Sequence, residues 1–325
     1  MRAGRFKVTL QILLVLALSG LLIADGKPTY VGALEQYKNF EGGGYTPYIR
    51  LAFRKTFSGW EPMPNEPEDE ASLKQVIDSY PICVTWTVVS NGKSLGSLVG
   101  IADKDYYYAN VGAEKPDGAL HQLPQVETGE DNPYVQHCNA ALWRPLMLVS
   151  NGTASDPEIW RRSKIGERSL KLAMGEFRRH VKAYPLPCIL KGKPGDPHNY
   201  QFRSYGDEDI LIERSYQSKD GAEIVGLRLN TDNKDWKNNP CRDNWDDFPD
   251  DFAVLWFSVS GGGAKFLGDC LAPIEADDVD GSGKSIWLFS YNNTKGADGE
   301  ECNKDGYVLF WDGFSKQARF TWEYH

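Results

Sequence analysis

The sequence predicts a mainly β fold with one inserted helix, in a sandwich or propeller-like architecture. Three observations predict it. Short runs of alternating apolar and polar residues recur along the chain, Asn-Gly and Asp-Gly pairs punctuate them, and a single stretch has the spacing of an amphipathic helix. Aromatic residues, 12% of the chain, fall largely within the alternating runs and read as strand and core residues.

The chain begins with Arg2, Arg5 and Lys7 and no acid, followed by an uncharged apolar run from Val8 to Ala24. That is the layout of a secretory signal peptide. Leu22 stands where a cut after Ala24 would want a small residue, which makes a poor cleavage site, so a signal anchor is the alternative, and its basic flank would also leave the body outside. Residues 1–24 therefore predict an exported protein, periplasmic or extracellular. No later run is long and apolar enough to span a bilayer, so no membrane insertion is expected beyond this segment. The full chain carries −9, and without the three N-terminal cations the body stands at −12. Such a balance argues against nucleic acid as a partner.

Residues 25–72 are rich in Gly, Pro and acid and read as a lead-in with one strand at Tyr48–Phe53. Residues 73–325 read as the β domain. In it, the run Ile82–Gly100 alternates about Asn91-Gly92, the turn pair that favours positive φ at both positions. A strand follows at Asp105–Val111. Ser155-Asp156-Pro157-Glu158 then carries a helix-start signal, and apolar spacing from Ile159 to Val181 predicts a helix over 156–182. Its basic side, with Arg161, Arg162, Lys164, Arg168, Lys171, Arg178, Arg179 and Lys182, reads as a solvated face, with anion binding as the alternative. Asp209–Tyr216 and Glu223–Leu229 flank an Asp220-Gly221 turn. Further strands are expected at Phe252–Val259, Lys265–Leu271, Ser285–Tyr291, Gly306–Trp311 and Ala318–Tyr324.

The six cysteines, Cys83, Cys138, Cys188, Cys241, Cys270 and Cys302, are scattered, with no Cys-x-x-Cys pair and no histidine at zinc spacing. In an exported protein they are candidates for disulfides, with the pairing left open.

One loop carries specific chemistry. Asp278-x-Asp280-Gly281-x-Gly283 sets carboxylates on alternate residues, and its glycines let the backbone turn them towards a common point, as a hard cation requires. The segment resembles the Asp-rich loop of FG-GAP and VCBS-type repeats, in a degenerate form. The resemblance implies a propeller blade and a weak Ca²⁺ site, with Asp278 and Asp280 as first and third ligands. Ser282 stands where the family has Asp, Lys284 would offer its carbonyl, and Ile286 replaces the last acid. The C-terminal run from Gly306 is also similar to the ends of uncharacterised exported bacterial proteins, which implies an envelope or secreted setting and no activity.

Other chemistries fail on pattern. The five histidines form neither H-x-x-x-H nor H-E-x-x-H, there is no G-x-S-x-G, and Gly281–Ser285 lacks the first glycine of a phosphate loop. The sequence therefore reads as an exported non-catalytic binding protein for an unknown protein or carbohydrate ligand. The alternative is an envelope or secreted hydrolase acting on carbohydrate or peptidoglycan through paired carboxylates, such as those of Asp243–Asp251.

Overall fold

The structure, a computed structural model, describes residues 28–38, 45–64, 74, 80–102, 109–114, 145–150, 154–182, 184–186, 201–230, 254–293 and 304–323. The expected export segment, 1–24, lies outside the described residues. Among the described residues the fold is mainly β with one multi-turn α-helix, and its sheets are antiparallel.

The first sheet holds β1 (Tyr30–Lys38), β2 (Tyr45–Lys55), β3 (Trp60–Pro62), β4 (Cys83–Ser90), β5 (Lys93–Ala102), β6 (Ala109–Glu114) and β7 (Leu146–Ser150). Its order is β1-β7-β4-β5-β6-β2-β3, and β1 also pairs with β2. The lead-in expectation for residues 25–72 is thus corrected, because three strands come from that segment. Alternation in it is masked by glycines and prolines, yet Val31, Ala33, Ile49, Leu51 and Phe53 are buried. The β4–β5 turn is as expected, with Asn91 at φ 53° and Gly92 at φ 65°.

A second sheet runs β14-β13-β12-β11-β8, with β8 (Arg161–Arg162), β11 (Ile210–Gln217), β12 (Glu223–Leu229), β13 (Leu255–Ser260) and β14 (Gly263–Gly268). A third is a meander of β15 (Leu271–Asp277), β16 (Ile286–Asn293), β17 (Lys304–Trp311) and β18 (Lys316–Glu323). A small ribbon joins β9 (Tyr184–Leu186) to β10 (Gln201–Arg203).

These sheets stack in layers, a sandwich-like arrangement. In the meander, Ile286, Leu288, Tyr307, Leu309 and Phe320 pack against the first sheet. Their neighbours Trp287, Phe289, Val308 and Phe310 point the other way, onto Ile224 and Trp256 of the second sheet. Because successive strand residues face opposite sides, a sheet covered on both faces needs a continuous apolar run, which is what Ile286–Phe289 supplies. The far face of the second sheet, with Val225, Leu227, Leu255 and Phe257, is closed by helix α1 (Glu167–His180) through Ala173, Met174 and Phe177.

The helix is shorter than the predicted 156–182. Asp156 does accept backbone N–H groups, from Glu158, Ile159 and Trp160, but these close a tight turn and lead into β8. The start of α1 is capped from elsewhere: its N-cap Gly166 lacks a side chain, and its N–H donates to Oε1 of the buried Glu223 at 3.0 Å. A carboxylate there also meets the positive end of the helix dipole.

Candidate functional site

Two regions concentrate chemistry. The first is an acidic junction where the turn of β4–β5, the turn at 155–160 and the β15–β16 loop meet. Glu275, near the end of β15, accepts N–H bonds from Asn91 at 2.5 Å and Gly92 at 3.3 Å. Asp156 adds a bond from the Ser285 hydroxyl at 2.5 Å to its three backbone donors. Asp277 is fully buried; its Oδ1 accepts from the Ser155 N–H, while its Oδ2 is buried with no hydrogen-bond partner. Burial, opposed by the Ser155 and Asp278 backbone bonds and reinforced by the charges of Glu275 and Asp278, raises its carboxyl to about 7. A carboxyl kept protonated near neutrality is the kind of group that serves as a general acid. Here it is sealed from solvent, so a substrate does not reach it.

The four residues expected to hold calcium sit at the rim of this junction. Asp278 accepts the Ser282 N–H at 2.8 Å through Oδ1 and the Gly283 N–H at 2.9 Å through Oδ2. Asp280 accepts the Ser282 N–H at 3.2 Å and, through Oδ2, the Lys55 ammonium at 2.7 Å. Partial burial works to raise the Asp280 carboxyl, but hydrogen bonds from Lys55 and Ser282 and the Lys55 charge hold it below its ordinary value. Lys55 also lies 5.2 Å from the centroid of the Trp60 ring. The Lys284 ammonium reaches out to Asp312 at 3.7 Å, both half or more exposed. The donors thus do not fit Ca²⁺. The loop carboxylates are taken by backbone amides, the cation between loop and sheet is Lys55, and no cluster of three or more metal-binding side chains occurs among the described residues.

Of the cysteines, Cys83 is exposed on β4 and Cys270 half-buried before β15, and no disulfide joins them. Cys138, Cys188, Cys241 and Cys302 lie outside the described residues, as does the acid-rich run Asp243–Asp251.

The second region is the outer face of α1. Between residues 161 and 182 eight basic residues stand against two acidic ones, in a chain that is −9 overall. Arg168, Lys171, Gly175 and Arg179 recur every three or four residues along α1 and are all exposed, directly opposite the buried Ala173 and Phe177, while Lys182 is exposed just past the helix end. Lys171 pairs with Glu167 at 2.8 Å and Arg179 with Glu176 at 2.5 Å, both at the surface. Arg178, off this row, pairs with Asp207. Arg161 and Arg162 are adjacent strand residues, so only one, Arg161, shares the α1 side, in register with Gln217 and Glu223.

No protein-family model, no curated protein and no solved structure matches the chain. Among the described residues no helix is long and apolar enough to cross a membrane.

Proposed function

We propose that the chain is an exported, non-catalytic binding protein whose ligand is a carbohydrate or protein. The observation that carries this reading is the state of the junction carboxylates. Glu275, Asp278 and Asp280, like Asp156, are held by backbone amides, a hydroxyl or Lys55, and Asp277 is buried beneath them. A glycosidase needs two carboxyl groups open to the substrate, one to give a proton and one to attack or activate water. The junction acids instead fasten three distant segments together. The cations on the outer side of α1 are exposed and lie outside this junction.

The experiment is incubation of the purified protein with acidic and neutral polysaccharides and with peptidoglycan, measuring both bound fraction and new reducing ends. Retention without new reducing ends is the expected result. Time-dependent release of reducing ends would establish the hydrolase alternative.

A further inference from the structure

We infer that the outer row of α1 is a binding track for a linear acidic polysaccharide, one that carries carboxylate or sulfate groups along an extended chain. The inference rests on the binding-protein reading above and narrows its ligand.

Three features of the row point there. Its cations lie on both sides of the exposed Gly175, with Arg168 and Lys171 before it and Arg179 after it. At 1.5 Å of rise per residue Arg168 and Arg179 lie roughly 16 Å apart along the helix axis. One small anion cannot reach both, whereas an extended polyanion can.

Gly175 is the second feature. A mid-helix glycine costs about 0.5–1 kcal/mol relative to alanine, and packing does not require it here. A Cβ built at Gly175 meets no atom within 4 Å, and its φ is not positive. The fold gains nothing from leaving that spot bare. A ligand lying across the row does, because the missing side chain exposes a saddle between Arg168 and Lys171 on one side and Arg179 on the other.

The third feature is what surrounds the cations. The large exposed hydrophobic side chains of the described residues are Phe57, Ile82, Ile159 and Ile212, none of them on the helix. A membrane surface is favoured by apolar side chains that enter it, and single-stranded nucleic acid by aromatic platforms for its bases. A duplex presents phosphates continuously, with no use for a gap. A polymer of rings with spaced anions matches cations set on either side of a bare saddle. Arg168 and Arg179 each offer a planar fork that suits carboxylate or sulfate, and the acidic remainder of the chain keeps such a polymer to this one face.

The test is titration of the full-length exported protein with oligogalacturonate and with heparin-derived oligosaccharide, at low and high salt. Neutral dextran, poly-glutamate, DNA and vesicles containing phosphatidylserine are run in parallel. Binding to one or both acidic polysaccharides, weakened by salt, is expected. The double variant Arg168→Glu/Arg179→Glu should weaken it by roughly tenfold or more. Gly175→Ala separates binding from folding, because it should raise Tm by about 1–4 °C while lowering affinity. Gly175→Leu should lower affinity further. Stronger binding to DNA, vesicles or poly-glutamate overturns the inference, as does polysaccharide binding indifferent to all three variants. A ligand bound elsewhere would overturn the track and leave the binding-protein reading standing. Cleavage of the polysaccharide would overturn that reading itself.

Discussion

Asp277→Asn isolates the energetics of the acidic junction. In the unfolded chain this carboxyl ionises near pH 4, and in the folded protein at about 7. Between those values the folded state holds a proton that the unfolded state has released. Stability therefore falls as pH rises from about 4 to about 7, and the loss is complete above that. At 1.36 kcal/mol for each pH unit of displacement, the loss is on the order of 4 kcal/mol. Asparagine does not titrate and keeps an oxygen for the Ser155 N–H. Its amide group replaces Oδ2, which has no partner, and an unmatched buried amide costs about 1–3 kcal/mol. About 1 kcal/mol of the parent's loss is already present at pH 4.5, so the variant should be less stable than the parent by about 0–2 kcal/mol there and more stable by about 1–3 kcal/mol at pH 8, a swing of about 3 kcal/mol. Urea denaturation of both proteins across this range measures the crossover, and groups that titrate alike in the two cancel. A stability difference that stays constant with pH would refute the reasoning.

Other expectations follow from single contacts. Glu35 is fully buried, gripped by Arg50 through Nε at 2.9 Å and Nη2 at 3.0 Å and by the Tyr307 hydroxyl at 2.6 Å, so it ties β1 and β2 to β17. Arg50→Met removes the guanidinium from a buried carboxylate and should cost about 3–5 kcal/mol in chemical denaturation, and Tyr307→Phe about 1 kcal/mol. Glu223→Ala should destabilise by about 1–2 kcal/mol, with faster amide exchange confined first to the opening turn of α1. Millimolar Ca²⁺ or a chelator should leave Tm unmoved, and Lys55→Met should lower stability by about 1 kcal/mol. A calcium-dependent rise in Tm of the parent would overturn the assignment of Lys55 as the loop's cation.

The fold class was legible because its signals are local. Asn91-Gly92 carries its own turn geometry, and Glu223–Leu229 is a strand over the predicted range. What stayed hidden depended on partners far along the chain. β1 is hidden in the lead-in because Gly32 interrupts its apolar residues, and of β2 only Tyr48–Phe53 shows in sequence; pairing with each other and with β7 completes both strands. β15 was missed because Glu275 and Asp277 look like loop residues, although each accepts backbone donors from another segment. Asp156 carried a true capping signal, yet the hydroxyl of Ser285 and the close approach of Gly92 fix it in a turn, and the helix starts at Glu167. The Asp278–Asp280 spacing was read for its carboxylates alone. Nothing in that motif announces a lysine from 225 residues away, which supplies the positive charge in place of an ion. The basic side of the helix is visible in sequence and reads first as solvated, with anion binding as the alternative. The bare Gly175 between Arg168 and Arg179 favours the alternative once the buried face of α1 is known.

Hydrogen–deuterium exchange with and without oligogalacturonate tests the central claim most directly, because it reports where a ligand lies as well as whether it binds. The expected result is slower exchange over residues 167–182, abolished in the Arg168→Glu/Arg179→Glu variant, with the β15–β16 loop unchanged. Protection confined to the acidic junction, or to any surface other than α1, would contradict it.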